Sequence, residues 1–101
     1  MLEQVLELLG KLCRRTTMYV CPVEIATVQS YLHGLETGCA FGGLKVTHEV
    51  YVAAAAARGW KFRSTGIVWH MQAKGLSEDA IIQELIAVEA EAFRRAAARR
   101  A

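Results

Sequence analysis

The chain has little of several residue types that mark particular kinds of protein. Of its 101 residues one is a proline, three are cysteines and 8% are aromatic. One proline and few aromatic residues are typical of a helical domain and not of a β-sandwich. The abundant alanine points the same way, because alanine loses no side-chain entropy in a helix.

Long apolar runs are also missing. No stretch approaches 18 uninterrupted apolar residues, so the sequence predicts no membrane-spanning helix. Residues 1–12 contain Glu3, Glu7 and Lys11 instead of an apolar signal core, and no cleavage pattern follows. We therefore expect a cytoplasmic protein whose three cysteines are reduced thiols.

Metal-binding spacings are absent as well. The sequence contains no CxxC, HxxxH or HExxH pattern. His33 and Cys39 would lie about 120° apart around a shared helix, so they face different sides. We predict no metal site and no cofactor, and we interpret Cys13 and Cys39 as small core residues.

A strong excess of one charge is absent too, since the net charge is +2. The charges are nevertheless segregated near the C-terminus. All charged residues between positions 76 and 93 are acidic, and all charged residues among the last eight are arginines. Acids first and bases last complement the dipole of one long helix. Aromatic residues for base stacking are not interleaved with the arginines, so nucleic-acid binding is not expected.

What is present is a repeating helical pattern. With 53% hydrophobic residues, the chain can bury a core. We predict an all-α fold, a compact single-domain bundle of four to five helices over residues 1–101. The predicted helices cover residues 2–14, residues from Pro22 to about 41, residues 45–58, a short segment after Ser64 or Thr65 that ends at Gly75, and a long helix capped by Ser77.

Cys21 is the cysteine with a candidate chemical role. If Pro22 begins the second helix, Cys21 lies near its N-cap, where the helix dipole would stabilise a thiolate. His33 is about 18 Å further along that helix, so another histidine, His48 or His70, would have to act as the base. A corner cysteine with a structural role is the alternative.

Glu89 falls near the middle of a broad apolar arc on the fifth helix. A carboxylate there must find a partner or stay protonated. The candidate partners are Arg14, Arg15, His48, His70 and the Tyr19 hydroxyl. Two other interpretations remain open: a carboxylate that faces a ligand, or a side chain that reaches solvent from a peripheral helix end. The arc itself is either a core face or part of a homodimer interface.

Residues 59–66, GWKFRSTG, suggest a weaker site. Basic side chains and backbone N–H groups before the fourth helix could hold an anion, with Trp60, Phe62 and Trp69 as walls. We assign no catalytic residue. The candidate ligand-binding residues are Cys21, Glu89, Arg15, Tyr19, Trp60 and His70.

The corner after the first helix resembles a motif of small bacterial proteins, most of them uncharacterised. The matching residues are Arg15-Thr16-Thr17-Met18-Tyr19-Val20 and, further on, Tyr31-Leu32-His33-Gly34. The family pattern is R-P-x-M-Y plus an aliphatic residue, and Thr16 stands where those proteins have proline. The resemblance covers residues 5–40 and implies a partner of a toxin system for some members. From the residues themselves, independently of the resemblance, we predict a corner in which Met18 and Tyr19 fold under the helices while Arg15 satisfies helix-end carbonyls or an acid such as Glu89.

The sequence therefore leaves several functions open. The first is a non-catalytic protein-interaction module, a homodimer or the partner of another bacterial protein, including the neutralisation of a toxin through the acidic residues of the fifth helix. The alternative is a small-ligand-binding protein or a thiol enzyme that uses Cys21 and Glu89. Whether the chain is an enzyme stays undecided, with no catalytic constellation to favour it.

Overall fold

A computed structural model describes residues 1–100, without the side chain of Arg100, and confirms the all-α class. The described residues form five α-helices, one 3₁₀ turn and no strand. The helices are α1 (Leu2–Arg14), α2 (Ile25–Phe41), α3 (His48–Ala57), α4 (Val68–Ala73) and α5 (Glu78–Arg100), and the 3₁₀ turn covers Thr16–Met18. Within residues 1–100 no helix is both long and apolar enough to cross a bilayer.

Helix α5 is the centre of the domain. It packs against α1, α2, α3 and α4. Among the described residues, no two of those four helices bring their backbones close to each other. Its apolar arc is buried inside the single chain, so the arc is core, and a homodimer would need a different surface. The buried apolar residues of the arc are Ile81, Ile82, Leu85, Ile86, Val88, Ala92 and Phe93.

The prediction that α2 begins at Pro22 is wrong. The helix begins at Ile25, and Glu24 is its N-cap. The backbone N–H of Glu24 donates to Thr27 Oγ1 at 3.1 Å, which is one half of a capping box and fixes the start of the helix there. Cys21 consequently precedes the cap and does not lie at the helix N-terminus.

The loop before α4 also differs from the prediction. Ser64 and Thr65 do not cap the helix, because they form the tip of a turn closed by two hydrogen bonds between Arg63 and Gly66. Gly66 has a φ of +96°, a conformation that glycine adopts without strain. The predicted cap of α5 is confirmed, since Ser77 Oγ accepts a hydrogen bond from the Ala80 N–H at 3.2 Å.

Candidate functional site

Glu89 is a fully buried acidic residue in the middle of α5. Its exposed fraction is 1%, and no other charged or polar side chain in the described residues is buried to this degree. Its helical neighbours Leu85, Ala92 and Phe93 are buried apolar residues on the same face. The central position of α5 therefore places a carboxyl group almost entirely out of contact with bulk water.

The partner of Glu89 is another carboxyl group, Glu36 of α2. Burial, a hydrogen bond to Glu36 and the charge of Glu36 together raise the pKa of Glu89 to about 10. At neutral pH Glu89 therefore holds a proton, which it donates to the Glu36 carboxylate. The five partners predicted from sequence are wrong, because α5 presents Glu89 to α2. The corner residues line a different depression, while His48 contacts Phe62 and His70 accepts from the Lys61 N–H.

One oxygen of this pair has no partner. Glu89 Oε2 is buried and makes no hydrogen bond in the described structure. A buried acceptor without a donor costs about 1–3 kcal/mol. Such a group is a reason to look for a ligand that would supply the missing donor.

A cavity of about 190 Å³ adjoins the pair. It is formed where α2, α3 and α5 meet the turn that precedes α4. Phe62 and Tyr51 supply aromatic walls, with ring centroids 5.9 Å apart in an edge-to-face arrangement. The lining residues are Gln29, Leu32, His33, Glu36, Tyr51, Phe62, Gly66, Ile67, Leu85 and Glu89.

Two further groups near the pair, Tyr51 and Cys39, stay neutral. Burial, followed by the charges of Glu89 and Glu36, raises the pKa of Tyr51, so its hydroxyl keeps its proton. Burial and the charge of Glu36 also raise the pKa of the Cys39 thiol. The cavity thus contains two carboxyl groups with one proton between them and a neutral phenol in its wall. The neutral Cys39 thiol lies near the pair on α2 but does not line the cavity.

Cys21 and Tyr19 lie elsewhere. They line a surface depression of about 340 Å³ together with Tyr31 of α2, and most of the side chains around it are exposed or half-buried. No histidine lines this depression among the described residues. Although it is larger than the cavity at Glu89, it holds no buried polar atom that lacks a partner. The structure therefore does not bring Cys21 and Glu89 together.

The corner after α1 is exposed and basic. Arg15 and Tyr19 line a second depression with Lys11, Arg14 and Met18. Met18 is 70% exposed, so the expectation that it folds under the helices is wrong. The 3₁₀ turn directs Met18 outward, while Tyr19 is half-buried against Tyr31.

Trp60 and His70 lie together but serve the fold. Trp60 Nε1 donates to Glu84 Oε1 at 3.0 Å, and the backbone N–H of Lys61 donates to His70 Nδ1 at 3.0 Å. Their rings contact edge to face with centroids 5.3 Å apart. Both side chains are used for internal contacts, and it is Phe62 and Gly66 of the same segment that reach the candidate site.

The acidic residues of α5 do not form a free surface. Glu84 is paired with Arg58, whose Nε lies 2.6 Å from its Oε1, and Glu91 is paired with Arg95 at 2.8 Å. With Glu89 buried, only Glu78 and Asp79 remain as exposed acids of the helix. A basic partner would therefore have to compete with Arg58 and Arg95 for Glu84 and Glu91, and the predicted acidic interaction face stays a prediction.

Of the two cysteines expected in the core, only Cys39 is buried. Cys13 is exposed and its thiol donates to Gln83 of α5. Because α1 packs only against α5 and the adjoining turn, its buried stripe is narrow, and Cys13 lies outside it.

The helical spacing of α2 could have identified Glu36 as a buried residue, but an acidic residue is ordinarily expected at the surface. Glu36 follows Leu32 by four residues and precedes Cys39 by three, so it shares the face of α2 that these buried residues define.

In the part of the chain that the structure describes, no three His, Cys, Asp or Glu side chains cluster as metal ligands would. Comparison with protein-family models, with curated proteins and with solved structures gives no match to this chain.

Proposed function

We propose that the protein is a cytoplasmic small-ligand-binding protein whose site is the cavity at Glu36 and Glu89. The observation that carries the proposal is Glu89 Oε2, a buried acceptor without a partner beside a cavity of about 190 Å³. Free thiols at Cys13 and Cys21 are compatible with a reducing compartment.

The stability of the fold does not require a carboxyl group at this position. A buried acid whose pKa is raised to about 10 destabilises the folded state at neutral pH, and an apolar residue or an amide would avoid that cost. Strongly perturbed carboxyl groups in clefts are typical of functional sites. A binding role explains both the burial of Glu89 and its orphaned oxygen.

A fragment screen by two-dimensional NMR tests this function. We expect some small polar fragments to shift the amide signals of cavity residues, Tyr51, Gly66 and Glu89 among them, at millimolar concentration. Gln29→Trp adds a bulky side chain at an exposed position of the cavity rim and is expected to abolish these shifts. Ala40→Trp, at an exposed position of α2 that does not line the cavity, is the matched control and should preserve them. A broad screen in which no fragment shifts these signals would contradict the proposal.

A protein-interaction role is the second candidate, and one surface favours it. Phe41, the last residue of α2, is 90% exposed, and the half-exposed Met1 packs its methyl group against Gly42, the residue that follows Phe41. Exposed large apolar side chains are typical of contact surfaces. A second copy of the chain or another bacterial protein could cover them.

Self-association tests this second candidate. If Phe41 mediates a homodimer, light scattering should show a dimer mass for the wild-type protein, and Phe41→Ser should reduce it to the monomer mass. Met18→Ser removes another exposed apolar side chain, in the corner after α1, and should leave the dimer intact. A monomer mass for the wild-type protein at 0.5 mM, roughly the upper range for weak interfaces, would exclude the homodimer.

A further inference from the structure

The cavity at Glu36 and Glu89 has a definite charge character. Two carboxyl groups line it from two different helices, α2 and α5, and none of its lining residues is a lysine or an arginine. An anionic ligand would meet uncompensated negative charge there. The proton of Glu89 lies on the oxygen that faces Glu36, so the other oxygen, Oε2, can only accept a hydrogen bond. A ligand that partners Oε2 must therefore supply a donor.

Resting on the small-ligand-binding function, we propose that the cavity binds a small organic cation, an alkylguanidinium or a primary alkylammonium, which replaces the proton shared by Glu36 and Glu89. The N–H groups of the cation donate to Glu89 Oε2 and to the Glu36 carboxylate. In the bound state both carboxyl groups are ionised.

The aromatic walls fit an organic cation. Tyr51 and Phe62 line the same cavity as the two acids. Aromatic faces attract ammonium and guanidinium groups, and the attraction grows when water is excluded. The planar guanidinium group also matches carboxylate oxygens with pairs of N–H donors.

A divalent metal ion fits less well. Calcium and magnesium require about six or more oxygen ligands, and zinc about four ligands with nitrogen or sulfur donors. Among the described residues, no three His, Cys, Asp or Glu side chains are placed so that they could hold one metal ion together. The two carboxyl groups therefore lack a third such ligand in the right place for a metal, whereas the rings of Tyr51 and Phe62 offer a suitable surface for a cation that carries hydrocarbon.

The exchange balances charge and atoms. One proton leaves Glu89 for the solvent as one cation enters, so the net charge of the site stays the same. The raised pKa of Glu89 means that proton and cation compete, and that the competition weakens as the pH rises. The other titratable groups near Glu89 are Glu36, Cys39 and His33 of α2 and Tyr51 of α3.

An NMR titration of the full chain with methylguanidinium chloride at constant ionic strength tests the inference. We expect its apparent affinity to rise roughly tenfold per pH unit between pH 7 and 9, as one competing proton requires. The Glu89 carboxyl carbon should move to the chemical shift of an ionised carboxylate on binding. Methylurea, a neutral molecule of the same shape, should bind at least about tenfold more weakly, since it lacks the charge.

Two variants separate ionisation from shape. Glu89→Gln keeps the size of the side chain and cannot ionise, so it should bind methylguanidinium at least about tenfold more weakly and without pH dependence. His33→Gln removes the imidazole at the rim and should leave the pH dependence unchanged. A pH slope that disappears in His33→Gln would overturn the assignment to Glu89.

The outcomes distinguish this inference from the function on which it rests. Equal or tighter binding of methylurea, or cation binding that leaves Glu89 protonated, would overturn the cation exchange while a ligand site remained. If neither probe binds but other fragments shift the cavity signals, the cation inference fails alone. If no fragment of any charge shifts them, both fail.

Discussion

Replacing Glu89 by glutamine is expected to stabilise the protein at neutral pH, by up to about 3 kcal/mol at pH 7. The carboxyl group has a pKa of about 10 in the folded protein, against a reference value of 4.5. Below pH 4.5 it is protonated in both the folded and the unfolded chain, so its contribution to stability is fully present. Between pH 4.5 and 10 only the folded chain keeps the proton, and stability therefore falls as the pH rises. The glutamine side chain has the same shape and avoids this loss.

Urea unfolding of both proteins from pH 4 to 9 measures the effect. The free energy of unfolding of the wild type should fall relative to that of Glu89→Gln by up to about 1.4 kcal/mol per pH unit above pH 4.5. Glu91→Gln is the control, because Glu91 lies on the same helix but is paired with Arg95 near the surface. It should change stability by less than about 1 kcal/mol with little pH dependence. A Glu89→Gln variant that is less stable than the wild type at pH 8 would contradict the account.

Phe93→Ala is expected to cause the largest loss of stability, about 3–5 kcal/mol. Phe93 has no exposed surface and lies on the buried face of α5, the helix against which α1 to α4 all pack. Removing its ring leaves a void that several helices would have to close together. For a domain whose total stability is about 5–15 kcal/mol, this loss is a large fraction.

Phe41→Ala is the matched control for Phe93→Ala. The same chemical change at a side chain that is 90% exposed should alter the stability of the monomer, measured at low micromolar concentration, by less than about 0.5 kcal/mol. Both variants can be measured by urea denaturation at pH 5, where the ionisation of Glu89 contributes little. Equal destabilisation by the two substitutions would contradict the claim that α5 is the centre of the core.

Helical periodicity was sufficient to locate Glu89 but not to identify its partner. The pattern of α5 shows which residues share a face, because that depends only on the turn of one helix. Glu36 reaches Glu89 because α2 packs on α5, and nothing in the periodicity of either helix specifies that contact. The five partners predicted for Glu89 were all basic or hydroxyl groups, and a second acid was not among them.

The errors at the corner have a local cause. Pro22 is compatible with the first turn of a helix, but the capping box at Glu24 and Thr27 supplies a better start. The reactive-thiol hypothesis for Cys21 depended on a helix that begins at Pro22. Because α2 begins at Ile25, Cys21 lies outside the first turn, and the helix dipole does not stabilise its thiolate. The exposure of Cys13 could not be predicted from the sequence either. The width of the buried stripe on α1 depends on how many helices cover it, and only α5 does.

The most direct test of the central claim is the titration of the Glu89 carboxyl carbon by NMR in protein labelled with carbon-13. The shared proton predicts a protonated carboxyl group at pH 7 and a midpoint near pH 10. The Glu89→Gln variant identifies the signal by its absence. A Glu89 that is ionised at pH 7, with a midpoint near 4.5, would contradict the shared proton and, with it, the proposed exchange of that proton for a cation.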